Sequence, residues 1–218
     1  MHAPGTPADR KHSDSFLAPL ERALVARLMP LIPGWIHTQH LTLMTIVWTL
    51  QVVGASALAR RDSRWMWAVS VAIAFQYLTD AIDGKVGKLR GDGLVRWGYY
   101  MDHLLDYAFL SAILIGYMLL LPGEHQYLMM LALAVSAGFM ASSFLARAVT
   151  GVLPISYLRI GPIEMRLVFI GVNALLATVG RAYMVAVVPY VIGAALVVLI
   201  VLVFETQRML WRLDRAGC

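Results

Sequence analysis

Four aspartates carry the chemistry that this sequence advertises: Asp80 and Asp83, three residues apart, and Asp102 and Asp106, four apart. On helices, each pair shares a face. All four fall within otherwise apolar stretches, where an unpartnered carboxylate is costly. Brought together, four carboxylates repel, and without cations some would have to take up protons. Hard divalent ions relieve that repulsion, and Mg²⁺ and Mn²⁺ prefer carboxylate oxygens. Glycines flank the acids at Gly84, Gly87 and Gly98, and Gly98, Asp102 and Asp106 fall on one stripe. A surface without side chains lets a phosphate or nucleotide approach the backbone. Lys85, Lys88 and Arg90 follow directly and supply positive charge for phosphate oxygens. Metal, room and positive charge beside a bilayer are the ingredients of phosphoryl transfer on a lipid. The bland alternative is that the acids pair with these cations and anchor helices.

The elements that position the acids follow from hydropathy. Of 218 residues, 60% are apolar and 14% charged, against about 25% charged in soluble domains. We expect an all-α integral membrane protein. Six apolar runs, at about 36–59, 65–84, 94–121, 126–147, 163–180 and 182–204, each approach the roughly 20 residues a span needs. The second and third runs are joined by a short loop, so they are expected to lie antiparallel and side by side, with all four carboxylates meeting at one end. Residues 1–14 read as a disordered tail without the apolar core of a signal peptide. In 15–34, Leu17, Leu20, Leu24, Leu28 and Leu31 recur at helical steps, too briefly to span. We expect an amphipathic juxtamembrane helix on the membrane surface, or else a helix packed on the bundle. The six-span domain is placed at 35–204 and a cytoplasmic tail at 205–218. Basic residues mark orientation. With the N-terminus inside, 14 of the 18 Lys and Arg fall inside and only Arg60, Arg61, Arg64 and Arg181 outside, which favours cytoplasmic termini and a cytoplasmic site. The net charge of +5 is therefore a topology signal, and no nucleic-acid partner is expected. The single cysteine, Cys218, excludes an intrachain disulfide.

The stretch Asp80-x-x-Asp83-Gly84-x-x-Gly87-Lys88, then nine residues, then Gly98-x-x-x-Asp102-x-x-x-Asp106 resembles the signature of the CDP-alcohol phosphatidyltransferases, D-x-x-D-G-x-x-A-R, about eight residues, G-x-x-x-D-x-x-x-D. All four aspartates and both signature glycines match. Gly87 stands where the family has alanine and Lys88 where it has arginine. Residues 89–97 lack the Ser or Thr that many members carry there. Lysine keeps the charge but not the bidentate fork. Gln39-His40-Leu41-Thr42 corresponds to the family's Asn-x-x-Thr, which contacts the nucleotide. The resemblance implies a juxtamembrane helix, six spans, a homodimer and two Mg²⁺ or Mn²⁺ ions per site. It implies metal ligation by Asp80, Asp83, Asp102 and Asp106, with Asp106 also taking the proton of an acceptor hydroxyl. Donor contacts would come from Gln39, Thr42, Gly84, Gly87, Lys88 and Gly98. Thr42 is equally readable as a threonine bonding its own helix.

The expected reaction joins a CDP-linked donor to an alcohol and releases CMP. Compact six-span size suits bacterial plasma-membrane enzymes using CDP-diacylglycerol. Asp102-His103 resembles instead the choline/ethanolamine branch, which acts on diacylglycerol; His103 reads as an interface histidine or a substrate contact. Arg147, Arg159 and Arg166 form either a basic acceptor pocket or a set of inside-facing topology charges. A transporter is the rival class, but it needs acids along a path through the bilayer, whereas these four lie at one end.

Overall fold

A computed structural model describes residues 18–151 and 162–216. The disordered tail assigned to 1–14, Arg159 and Cys218 lie outside the described residues. The described residues form seven α-helices: α1 Ala18–Leu28, α2 Thr38–Ala59, α3 Met66–Arg90, α4 Val95–Met118, α5 Gln126–Thr150, α6 Pro162–Thr178 and α7 Ala182–Ala216. No strand occurs among the described residues.

Among the described residues, three segments are long and apolar enough to cross a membrane: Thr38–Ala59, Gly123–Thr150 and Ala182–Arg215. The other three helices of the expected six fall short by length or by charge. At about 1.5 Å per residue, the 17 residues of α6 span roughly 26 Å. The helices α3 and α4 have 25 and 24 residues but carry the aspartates and several cations. Large apolar side chains stay exposed along α7, among them Tyr190, Val197, Ile200 and Phe204. A water-soluble protein seldom presents such a surface; lipid is the solvent that suits it.

The packing scheme differs from two adjacent spans. Both α3 and α4 pack along α2, α6 packs on α3, α5 on α4, and α7 on α5. Between α3 and α4 themselves close backbone contacts are few, and the two helices meet through their side chains. The α2–α4 approach is close because Gly116 has no side chain: a Cβ there would sit 2.3 Å from Ser56 Oγ. The main core lies on these faces, with Val52, Ala55, Ile73, Val69, Phe109 and Ile113 among its buried members.

A smaller core joins Val25 of α1 to Leu41, Ile82 and Val86. Thus α1 is anchored by Val25, while Leu20 and Leu24 of the sequence-derived leucine stripe remain exposed. The chain then turns into α2. Arg90 at the end of α3 donates to the carbonyls of Ile32 and Pro33, at 3.3 and 2.8 Å, and so ties that linker to α3. At the opposite end of the bundle, Arg181 donates to the carbonyls of Ala59 and Arg60, at 2.9 and 2.7 Å. The last helix also continues well past residue 204, through the stretch assigned to a tail.

Candidate active site

Carboxylate oxygens of Asp80, Asp102 and Asp106 lie within 4.8 Å of one another. Each residue is half-buried. The grouping follows from helix geometry. At about 100° per residue, Asp106 lies 40° round α4 from Asp102, so both face α3 together. Asp83 lies 60° the other way round α3 from Asp80, and that side faces α2. There Thr38 donates its hydroxyl to one Asp83 oxygen and Thr42 donates to the other at 2.5 Å. The four acids expected to meet are therefore divided: three converge, and Asp83, 8% exposed, is held by two threonines of α2.

Thr42 bonds its own helix, as one of its sequence readings has it, with its hydroxyl 3.0 Å from the Thr38 carbonyl, and also bonds Asp83. Thr38 was not singled out from sequence, yet it is central to this corner. Its backbone N–H donates to Asp92 Oδ2 at 2.9 Å, and the ring of His37 donates to Asp92 Oδ1 at 2.7 Å. The Thr38 N–H first, and then His37, hold the Asp92 carboxyl below the usual carboxylate range, against the opposing effect of burial. Asp92 sits in the α3–α4 loop after Gly91, whose φ of 65° reverses the chain at little cost for a residue without Cβ. This clamp fixes the start of α2 to the loop between the two acidic helices.

Space is distributed unevenly among the glycines. A Cβ on Gly84 or Gly98 meets no heavy atom within 4 Å, whereas one on Gly87 would meet Thr38 Oγ1 at 3.2 Å. Gly84 and Gly98 thus border open space, and Gly87 is packed against Thr38. Lys85 and Lys88 are exposed; Arg90 is engaged with the linker carbonyls. Gln39 is half-buried in the first turn of α2.

The proposed acceptor arginines also divide. Arg166 turns toward the carboxylates, with Nη2 3.4 Å from Asp80 Oδ2 and 3.7 Å from Asp106 Oδ1. Arg147 lies over the Tyr99 ring, 4.3 Å from its centroid. Arg159 is outside the described residues. His103 packs between Tyr99 and Phe144, at 4.1 and 5.1 Å between ring centroids, with Nδ1 3.5 Å from Asp102 Oδ2. Gln76, buried on α3, escaped the sequence reading altogether. Its amide donates to Asp106 Oδ1 at 2.9 Å. It precedes Asp80 by four residues, the same spacing that drew notice to Asp102 and Asp106, and that was the available signal.

The donor set suits a hard divalent cation. Mg²⁺ holds oxygens at about 2.1 Å, so two oxygens on one ion lie no more than about 4.2 Å apart, close to the observed spacing. All three groups are carboxylates, without the sulfur or imidazole that would favour softer metals. No curated protein matches the sequence. A match to the family of the CDP-alcohol phosphatidyltransferases covers residues 35–207, from the linker before α2 well into α7. On that match, which takes in both acidic helices, the chain belongs to the CDP-alcohol phosphatidyltransferase family.

Proposed function

We propose that the protein is a membrane enzyme of phospholipid synthesis that transfers a substituted phosphate from CDP-diacylglycerol to an alcohol and releases CMP. The observation that carries this reading is the convergence of Asp80, Asp102 and Asp106 in a chain of this family. We assign Asp80, Asp83, Asp102 and Asp106 to holding two Mg²⁺ or Mn²⁺ ions. When bound, such ions neutralise charge on the donor pyrophosphate and ease departure of CMP.

The side chains do the rest. Asp106 accepts the proton of the acceptor hydroxyl. The alcohol oxygen forms a bond to the phosphorus that carries the diacylglycerol. The bond from that phosphorus to the bridging oxygen breaks, and CMP leaves with the electron pair. Lys85 and Lys88 balance phosphate charge from the water side. Gln39 and Thr42 hold the nucleotide, Thr42 also steadying Asp83. Gly84 and Gly98 keep the backbone approachable, Gly87 admits Thr38 against α3, and Arg147 faces the acceptor. Arg166 we assign to charge compensation among the carboxylates.

The helices α3, α4 and α6 cross the bilayer together with α2, α5 and α7, because α3 and α4 pack along α2 and α6 packs on α3. Exposed Leu20 and Leu24 support a membrane-surface position for α1. The excess of basic residues at one end supports a cytoplasmic site and cytoplasmic termini, the compact size supports a bacterial plasma membrane, and a homodimer is the expected assembly. The preference for CDP-diacylglycerol over a CDP-alcohol rests on the sequence alone.

A donor and acceptor panel tests the assignment. Purified protein is offered CDP-diacylglycerol with glycerol phosphate, serine, inositol or inositol phosphate. In separate reactions it is offered CDP-choline or CDP-ethanolamine with diacylglycerol. CMP release in the first set, abolished by EDTA and restored by Mg²⁺ or Mn²⁺, is expected. Release only in the second set transfers the protein to the choline/ethanolamine type. Release in neither leaves no transferase reading.

A further inference from the structure

Gln76 is 1% exposed at a depth where an amide is expensive unless every polar atom is used. Both ends are used. Its Oε1 accepts from Arg166 Nε at 3.1 Å and from Arg166 Nη2 at 2.9 Å. Its Nε2 donates to Asp106 Oδ1 at 2.9 Å. An arginine offers only donors and an ionised carboxylate only acceptors. An amide between the two fits one way round, so the usual ambiguity between amide oxygen and nitrogen is removed by its partners.

Arg166 reaches the carboxylates less well by itself. Its Nη2 lies 3.4 Å from Asp80 and 3.7 Å from Asp106, beyond the roughly 2.7–2.9 Å of a strong charge-assisted bond. The short contacts run through Gln76. Three helices are joined in this way: Arg166 on α6, Gln76 on α3 and Asp106 on α4. The amide fixes the direction of Oδ1 from α3, and Arg166 in turn fixes the amide.

We infer that Gln76 is a positioning residue for Asp106, coupling Arg166 on α6 to the orientation of the proton acceptor on α4. This rests on the reading of Asp106 as proton acceptor given above. The relay explains why a buried glutamine, one helical turn deeper than Asp80, stands beside a site otherwise built of acids and glycines.

The test uses the full chain in detergent with the donor and acceptor pair that the wild type turns over. Gln76→Met keeps the volume and removes both hydrogen bonds. The turnover number is expected to fall about tenfold to a hundredfold, the loss of one hydrogen bond to a charged group. Donor KM should stay within about twofold and Mn²⁺ affinity by calorimetry within about threefold, as expected when one carboxylate loses orientation but no ligand is lost. Adding Arg166→Met to Gln76→Met should cost less than the product of the two single losses, since residues acting partly as one unit are not additive. Gln76→Glu preserves shape and the bond from Arg166 but loses the donor to Asp106. It must show the same loss, and it serves where the methionine variant does not fold. Wild-type turnover in either variant overturns the relay. So does a loss of Mn²⁺ affinity matching the loss of turnover, which would make Gln76 a support of the metal cradle. Losses that multiply in the double variant also overturn it. Absence of turnover by the wild type across the whole panel would instead remove the transferase reading, and the relay with it.

Discussion

Gly87→Ala restores the alanine of the family signature, and the structure predicts that it harms this protein. In a helix interior, alanine is favoured over glycine by about 0.8–1.0 kcal/mol. The new methyl, however, would stand 3.2 Å from Thr38 Oγ1 and 3.4 Å from Thr38 Cβ. Thr38 has little freedom to retreat, because its N–H is bonded to Asp92 and its hydroxyl to Asp83. Overpacking against a fixed neighbour costs about 1–3 kcal/mol. The net change is therefore between neutral and about 2 kcal/mol destabilising. Gly54→Ala in α2, where an added Cβ meets nothing within 4 Å, should instead stabilise by up to about 1 kcal/mol. Thermal unfolding in detergent, followed by tryptophan fluorescence, reads the contrast. About 1 kcal/mol corresponds to about 2–4 °C in a chain of this size, so Gly54→Ala should raise Tm while Gly87→Ala leaves it unchanged or lowers it. In a Thr38→Ala background the atom at 3.2 Å is gone, and the penalty of Gly87→Ala should largely vanish. A Gly87→Ala protein stabilised as much as Gly54→Ala, with no coupling to position 38, would refute the argument that Thr38 is pinned between Asp83 and Asp92.

Asp106→Asn should lower turnover by ~10²- to 10⁴-fold, the usual cost of losing a general base, while calorimetric binding of the CDP-linked donor with Mn²⁺ survives. Asp80→Asn should weaken both, and equal loss of donor binding in the two variants would make Asp106 an essential ligand instead of the base. Arg181→Met removes the bonds to the Ala59 and Arg60 carbonyls. It should lower Tm by several degrees, from a loss of about 1–3 kcal/mol, without changing donor KM, because that contact lies the length of α2 away from Thr42. The lowered pKa of Asp92 means that the unfolded chain takes up this proton first as pH falls. The stabilisation from the clamp is thus complete above about pH 4 and is lost as pH drops through the folded value below it. A plot of Tm against pH should therefore fall less steeply on the acid side for Asp92→Asn than for the wild type.

The acids and the glycines were legible in the sequence because helical spacing is local: residues three or four apart must share a face whatever surrounds them. Helix positions were legible for the same reason, since hydropathy along one segment needs no knowledge of another. What a single segment cannot encode is its neighbour. Spacing put Asp80 and Asp83 together, but 60° of rotation gives one to α4 and the other to α2, and only the placement of α2 between α3 and α4 decides that. Arg166 illustrates the same limit. Its position near a helix start at one end of the bundle was visible, and its charge was read as suited to an acceptor phosphate. Its actual contacts depend on α6 packing against α3, a contact between segments about 90 residues apart in the chain. Thr38 and Asp92 were hidden because their partners are a backbone N–H and each other's helix ends, which leave no periodic trace. Gln76 is the instructive exception. It lies on the Asp80 face at a four-residue step, within an apolar run where any polar side chain demands a reason. A buried amide satisfies a carboxylate and a guanidinium at once without changing the charge of the site, so the residues that tune such a centre are to be sought among its neutral polar side chains as well as its charged ones.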